Sequence, residues 1–240
     1  MKKIFAFIFI CQLGFAQTKQ TLQTFEGQIN GKIAITLALV LEDNLIYGTL
    51  RYKVVGEAIK VIGSLENSKV LLHEFDSKGN VTGIYFGTKT GDVIAGSWTS
   101  PSGKEMSFSV KKTAIAPIDK AENKTITGTY AYAFGKEGGS GNIYVRQIDA
   151  TKAIVEMQAV KGGPSYNQAT VEKTTLKLMN NQAVYENKEF GKCKLKMSFF
   201  EGGLSIIYLD EAYECGFGNG ASVSGNYLKI DGKAPKFDQK

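Results

Sequence analysis

Acidic side chains that lie close together are the first groups in this sequence that could do chemistry. The candidates are Glu74 with Asp76, Asp210 with Glu211, and Glu214. Two carboxyl groups that flank a glycosidic bond can act as general acid and as base or nucleophile in glycoside hydrolysis. Asp76, however, opens the segment Asp76-Ser77-Lys78-Gly79-Asn80, where an aspartate commonly accepts hydrogen bonds from its own turn. We therefore interpret these groups as solvated turn carboxylates and predict no catalytic residue among them.

His73 is the only histidine of the chain. A metal site built from several histidines is therefore excluded, and we predict no catalytic triad, because a histidine on a strand has no evident partners for acid-base work. His73 alternates with apolar residues in Leu71-Leu72-His73-Glu74-Phe75, which predicts a histidine on the surface of a strand or partly packed there. The segment 76–80 also lacks the oxygen-ligand spacing of a calcium loop. No metal ligand and no cofactor are predicted.

The cysteines indicate one disulfide bond. Cys11 lies in an apolar N-terminal segment, which leaves Cys193 and Cys215 as a single possible pair in an oxidising compartment. On its predicted strand Cys193 shares a face with Leu195 and Met197, so its sulfur should point toward the core. Lipidation of Cys11 is the alternative use of that residue, but Phe9 and Ile10 stand where a lipidation motif needs a small residue.

Residues 1–16 have the pattern of a bacterial secretory signal peptide. Lys2 and Lys3 are followed by an apolar stretch and by Gly14-Phe15-Ala16, a small-x-small cleavage site. We expect the mature chain to begin at Gln17 and to be exported to the periplasm or the exterior. The apolar stretch is too short to span a membrane, and no later segment is long and apolar enough to do so.

The charge of the chain gives little support to nucleic-acid binding. Without Lys2 and Lys3 the formal net charge falls from +6 to +4. The lysines are spread along the chain among acidic neighbours and do not form a basic cluster. Anionic polymers of the cell envelope remain possible partners through weak long-range attraction.

Alternation of apolar and polar residues predicts strands along the whole chain. The clearest case is Lys32 to Leu41, where Ile33, Ile35, Leu37, Leu39 and Leu41 fall on one face. Seven further strands are predicted in the first half, at 24–29, 45–54, 58–65, 69–75, 81–87, 93–99 and 105–111. The second half contains eight, at 126–134, 142–148, 153–160, 169–179, 182–185, 193–200, 204–209 and 222–230.

These strands predict an all-β protein with two small antiparallel meander barrels joined by a short linker. The predicted divisions are a signal peptide at 1–16, an N-terminal barrel-like domain at 17–112, a linker at 113–123, a C-terminal barrel-like domain at 124–231 and a tail at 232–240. Both halves close near a Gly-x-aromatic sequence, at Gly96-Ser97-Trp98 and Gly225-Asn226-Tyr227. Two copies of one module, or the ordinary use of glycine where a barrel strand bends over an aromatic ring, both explain this similarity.

Glycine-rich segments and aromatic residues are the remaining candidates for binding. Gly138-Gly139-Ser140-Gly141 has no following helix and no Lys-Ser/Thr pair, so we interpret it, like Gly162-Gly163-Pro164, as a turn and not as a phosphate cradle. Six aromatic residues could line a pocket in a barrel mouth, but filling of the core is favoured because an eight-stranded barrel has little interior space left over. They are Trp98, Tyr47, Tyr52, Tyr85, Tyr130 and Tyr132.

Two sets of short motifs carry a resemblance. The first half contains Tyr47-Gly48-Thr49-Leu50-Arg51-Tyr52, Glu74-Phe75-Asp76, Val81-Thr82-Gly83 and Gly96-Ser97-Trp98-Thr99-Ser100-Pro101-Ser102-Gly103. The second half contains Ala183-Val184-Tyr185, Cys193-Lys194-Leu195 and Cys215-Gly216-Phe217-Gly218 before Gly225-Asn226-Tyr227. The chain thereby resembles uncharacterised exported bacterial two-module β-barrel proteins and is loosely similar to periplasmic barrels of the lysozyme-inhibitor type. The motifs mark a fold and not an active site.

The sequence as a whole favours an exported, non-enzymatic binding module. Its expected partner is a protein, as for an inhibitor whose loop enters an enzyme cleft, or an envelope glycan; the surface that binds it is not identified. A secreted enzyme that acts on envelope polysaccharide through a carboxylate pair, and a structural envelope protein, are the alternatives.

Overall fold

The computed structural model describes residues 20–118, 125–210 and 215–237. These residues form sixteen strands and no helix, which confirms the predicted all-β class. The first eight are β1 (Gln20–Ile29), β2 (Ile33–Glu42), β3 (Leu45–Tyr52), β4 (Ala58–Glu66), β5 (Lys69–Phe75), β6 (Val81–Thr90), β7 (Val93–Thr99) and β8 (Glu105–Ile118). The second eight are β9 (Gly128–Ala133), β10 (Ser140–Asp149), β11 (Lys152–Val160), β12 (Gln168–Met179), β13 (Gln182–Asn187), β14 (Cys193–Phe200), β15 (Gly203–Tyr208) and β16 (Gly225–Asp231).

Each set of eight consecutive strands closes on itself as an antiparallel barrel. In the first barrel β8 returns to pair with β1, from Gln20↔Ile118 to Ile29↔Phe108. In the second barrel β9 pairs with both β10 and β16 and so completes the ring. Closure pairs each strand on both of its sides, which removes the open edges that would otherwise invite pairing with another chain.

Apolar side chains fill both barrels, as expected for eight strands. Ile35, Leu37 and Leu39 are fully buried and confirm the inward face that the alternation in β2 predicts. At the two ends of that strand, Ile33 is 36% exposed and Leu41 is half-buried. The second barrel has a separate core that includes Val145, Met157, Leu195 and Ile206.

Short polar turns set the register of the hairpins. Asn67 and Ser68 join β4 to β5 with φ values of 48° and 69°, and Asn180 and Asn181 join β12 to β13 with φ values of 52° and 59°. Two consecutive residues with positive φ produce a turn whose twist matches that of the flanking strands, and asparagine adopts this conformation readily.

The predicted linker is wrong over its first six residues. Strand β8 continues through Thr113 to Ile118 and pairs there with Gln20–Thr24 of β1. Thr113 is left unpaired at a bulge, and residues 113–117 are exposed, so the extension carries no apolar alternation from which a strand could be predicted. Residues 119–124 lie outside the described ranges, as do the predicted signal peptide at 1–16 and the end of the predicted tail at 238–240.

Cys193 and Cys215 form the predicted disulfide bond, with their Cα atoms 4.6 Å apart. Cys193 begins β14 and is fully buried, with its sulfur toward the core of the second barrel. The bond ties the segment that follows β15 to the first residue of β14. The long connection between β15 and β16 is thereby attached to the barrel wall.

Replacement of both cysteines by serine should lower the free energy of unfolding by about 3 kcal/mol, because the bond closes a loop of roughly 22 residues in the unfolded chain. Denaturant titration followed by circular dichroism would measure the change. Treatment with a thiol reductant is the control: it should lower the stability of the wild type to that of the double-serine variant and leave the variant itself unchanged. Equal stability of the double-serine variant and the wild type would contradict the prediction.

Candidate functional site

The carboxylates proposed as a pair from the sequence do not share an environment. Asp76 Oδ1 accepts hydrogen bonds from the backbone N–H groups of Lys78 (2.8 Å) and Asn80 (2.9 Å), which confirms its role in the turn. Asp210 is exposed, and Glu211 and Glu214 lie outside the described residues. The interpretation of Glu74 as a solvated turn carboxylate is wrong, because its side chain is only 4% exposed.

Glu74 is held by hydroxyl groups inside one end of the first barrel. Its carboxylate accepts hydrogen bonds from Tyr52 (2.8 Å), Thr82 (2.8 Å) and Tyr85 (3.4 Å). Burial, together with the charge of Glu74, raises the pKa of Tyr52 far above its ordinary value. Three hydroxyl donors meet the hydrogen-bonding needs of this buried carboxylate, and no second carboxyl group is among its partners. We therefore interpret the cluster as a group that stabilises this end of the barrel and not as an acid-base pair.

His73 lies between the two barrels. Its ring contacts the edge of Tyr132 from the second barrel, with ring centroids 5.7 Å apart, and its Nδ1 is buried without a hydrogen-bond partner among the described residues. Burial lowers the pKa of His73 to about 4, an effect only partly opposed by a backbone hydrogen bond with Ile62. The predicted packed histidine is confirmed, and its neutral form is the one that the contact between the barrels favours.

His73 should make the protein less stable in mild acid. Unfolded His73 takes up a proton below about pH 6.5 whereas the folded residue does so only near pH 4, so its contribution is complete above pH 6.5 and declines as the pH falls toward 4. Between pH 7 and pH 5 the loss should be about 2 kcal/mol. The His73→Gln variant should lack this part of the decline, which denaturant titrations at both pH values would show. Identical pH dependence in the two proteins would contradict the assignment.

An apolar seam joins the barrels. It is formed by Val40, Tyr47, Ile62, Phe75 and Val81 of the first barrel with Phe200 and Leu228 of the second. The rings of Tyr47 and Phe200 lie 4.8 Å apart at an angle of 30°. A parallel bridge between Asn80 and Ala133, with a 3.0 Å hydrogen bond from Ala133 N–H to the Gly79 carbonyl, extends the contact at the opposite end of the seam.

A cleft of about 320 Å³ opens beside the Tyr47–Phe200 contact, between the two barrels. The first barrel supplies the β2–β3 turn and the ends of its neighbouring strands, and the second supplies the β12–β13 turn and the outer face of β14 and β15. The polar lining consists of Gln20, Glu42, Asp43, Asn44, Ser64 and Glu66 on one wall and Asn180, Asn181, Gln182, Lys196, Ser198, Glu201 and Ser205 on the other. A second hollow of about 330 Å³ flanks the same seam and shares Tyr47 and Glu201.

Hydrogen bonds order the wall around Tyr47. Gln20 Nε2 donates to Glu42 Oε2 at 2.7 Å and to the Tyr47 hydroxyl at 3.4 Å, and that hydroxyl donates to Glu42 Oε2 at 3.5 Å. Burial and the charges of Glu42 and, more weakly, of Glu201 raise the pKa of Tyr47 to about 12. The negative charges of carboxylates from both barrels therefore raise the pKa of one phenol, that of Tyr47, at the base of the cleft.

The aromatic residues named from the sequence divide between core and seam. Tyr85 and Tyr130 are buried in the two cores, and Tyr52 and Trp98 pack at the end of the first core, which confirms that these aromatics fill the barrels. Tyr47 points outward into the seam, whereas Tyr132 packs against both the second core and the seam, and the sequence did not reveal either contact with the seam.

Gly138 and Gly139 lie between β9 and β10 and residues 162–164 lie in the turn after β11, as predicted, whereas Ser140 and Gly141 belong to β10. The two connections pack on each other. Gly163 N–H donates to the Glu137 carbonyl at 2.8 Å. A Cβ at Gly162 would lie 2.3 Å from the same oxygen, so the close approach of the two segments requires glycine there.

Neither a metal centre nor a membrane-spanning helix occurs in the described ranges. No group of three or more His, Cys, Asp or Glu side chains in residues 20–118, 125–210 and 215–237 is placed to hold a metal ion. The same residues contain no helix long and apolar enough to cross a bilayer.

No protein-family model, curated protein or solved structure matches this chain. The resemblance to exported two-module barrels therefore stays a prediction.

Proposed function

We propose that this chain is an exported, non-enzymatic binding protein whose cleft between the barrels holds a glycan of the cell envelope. The observation that carries the proposal is the composition of the cleft. Amide, carboxylate and hydroxyl side chains line both walls, and an aromatic pair, Tyr47 and Phe200, lies at the base.

This lining suits a ligand rich in hydroxyl groups. Asn and Gln amides offer donors and acceptors side by side, and carboxylates accept hydrogen bonds from hydroxyls, so the walls can match groups that both donate and accept. Tyr47 and Phe200, which are 8% and 7% exposed, form an apolar floor that can contact the edge of a sugar ring. A volume of about 320 Å³ is at the lower end of the range for small-molecule sites and accommodates a short stretch of glycan chain.

The local charge of the cleft adds selectivity. Glu42, Asp43, Glu66 and Glu201 outnumber Lys196, although the chain as a whole is basic. An acidic cleft disfavours polyanions and admits neutral sugars or sugars that carry amino groups. The cleft therefore favours the glycan backbone of the envelope over its anionic polymers.

An enzyme that acts on envelope polysaccharide is the second candidate, and one observation favours it. Glu42 and Glu201 come from different barrels, and both influence the Tyr47 hydroxyl from positions on the cleft lining. Two carboxylates that face a bound glycan are the groups that glycoside hydrolysis uses.

Titration of the purified protein with soluble cell-wall fragments should give saturable binding without turnover. Calorimetry measures the binding, and chromatography of the glycan detects cleavage. The Asn181→Gly variant should weaken binding by up to about tenfold, because a cleft amide is lost while the turn that needs positive φ is preserved. Asn30→Gly makes the same change in the β1–β2 turn at the other end of the first barrel, and it should bind like the wild type.

Three outcomes would contradict the proposal. Cleavage that falls by about a hundredfold or more in Glu42→Gln would establish the enzyme instead. Binding of lysozyme but not of any glycan would indicate an inhibitor. No binding to either would leave the structural role.

A further inference from the structure

The turn between β3 and β4 exposes two adjacent valines. Val54 is 92% exposed and Val55 is 67% exposed, and Ile33 at the start of neighbouring β2 is 36% exposed. Lys53 N–H donates to the carbonyl of Ala34 in β2 at 3.0 Å, which extends the pairing of β2 and β3 to the start of the tip. β-Branched apolar residues are poor turn formers, so turn formation does not explain their presence at this tip.

The tip is held firmly at its base. The Tyr52 carbonyl accepts hydrogen bonds from the N–H groups of Val55 (3.1 Å) and Gly56 (2.9 Å), and Arg51 donates to the Gly56 carbonyl at 3.3 Å. The Tyr52 side chain reaches inward and donates to the buried Glu74 carboxylate. The buried hydroxyl cluster thereby fixes the strand from which the valines project, and little ordering remains to be done on binding.

Basic residues outnumber acidic ones at this end of the barrel. Lys53 precedes the valines, Arg51 lies near the end of β3 and Lys32 precedes β2, and all three are exposed; the exposed acidic residues are Glu57 in the turn and Glu26, which lines a hollow together with Lys53. Apolar side chains next to basic residues fit the boundary between lipid headgroups and acyl chains, where lysine stems extend along the apolar layer and the ammonium groups meet anionic headgroups. The charge is thus complementary to an extended anionic surface.

We propose that the Val54–Val55 tip inserts into the surface of a membrane that contains anionic lipids. The cleft opens near Asp43 and Asn44 at the far end of β3, about 25 Å along the eight-residue strand. A chain attached by the tip would therefore keep its cleft directed away from the lipid. This attachment does not depend on the glycan proposal.

Sedimentation of the purified exported protein with vesicles of phosphatidylethanolamine and phosphatidylglycerol tests the inference. The wild type should sediment with these vesicles, and less so as salt is raised. The double variant Val54→Ser with Val55→Ser should bind about tenfold more weakly or worse, because two apolar side chains no longer leave water. Phe86→Ser, which removes a side chain 56% exposed on β6 of the same barrel, should bind like the wild type.

The Lys53→Gln variant tests the electrostatic contribution to membrane binding separately from the apolar one. It should weaken binding to these anionic vesicles and leave the faint binding to phosphatidylcholine vesicles unchanged. Circular dichroism melts of the variants should match the wild type, and glycan binding by the double-serine variant should be intact. Failure of the wild type to sediment, as expected if the tip instead enters a pocket on a protein, or equal sedimentation of the double-serine variant, would overturn the inference.

Discussion

The apolar seam between the two barrels is the contact on which the candidate site depends. Each barrel has its own filled core, but the cleft exists only because Tyr47 and Ile62 of one barrel pack against Phe200 and Leu228 of the other. The seam also explains why outward-facing positions on closed barrels carry large apolar side chains. Loss of this packing would separate the two walls and remove the cleft without unfolding either barrel.

Two neighbouring polar residues of β5, His73 and Glu74, are packed inside this structure. His73 lies in the seam in its neutral form, so mild acid opposes the contact between the barrels. Glu74, on the adjacent inward-facing position, is held by three hydroxyl groups and supports the strand that leads to the exposed valine tip. Successive side chains of a strand point to opposite faces. His73 therefore points between the barrels, and the next residue, Glu74, points into the first barrel.

Local patterns in the sequence predicted the strands well and the site poorly. The bounds of β5, β7 and β14 match the predicted ranges because alternation and turn residues are local signals. The burial of Glu74 had a readable signal, since it shares a face with Val70 and Leu72. Nothing comparable marks the cleft, because Glu42 and Glu201 read as ordinary turn residues and Tyr47 meets Phe200 only after both barrels have closed and docked. The sequence also gives no signal for the extension of β8, because the residues that pair with β1 there bury little apolar surface.

Nuclear magnetic resonance of the labelled protein, titrated with soluble cell-wall glycan fragments, tests the cleft most directly. Ligand contact with both walls should shift the backbone amide signals of Asp43 and Asn44 on the first barrel and of Asn181 and Gln182 on the second at the same ligand concentrations. Shifts confined to one barrel away from these turns, or no shifts at saturating glycan, would contradict a binding site shared by the two barrels.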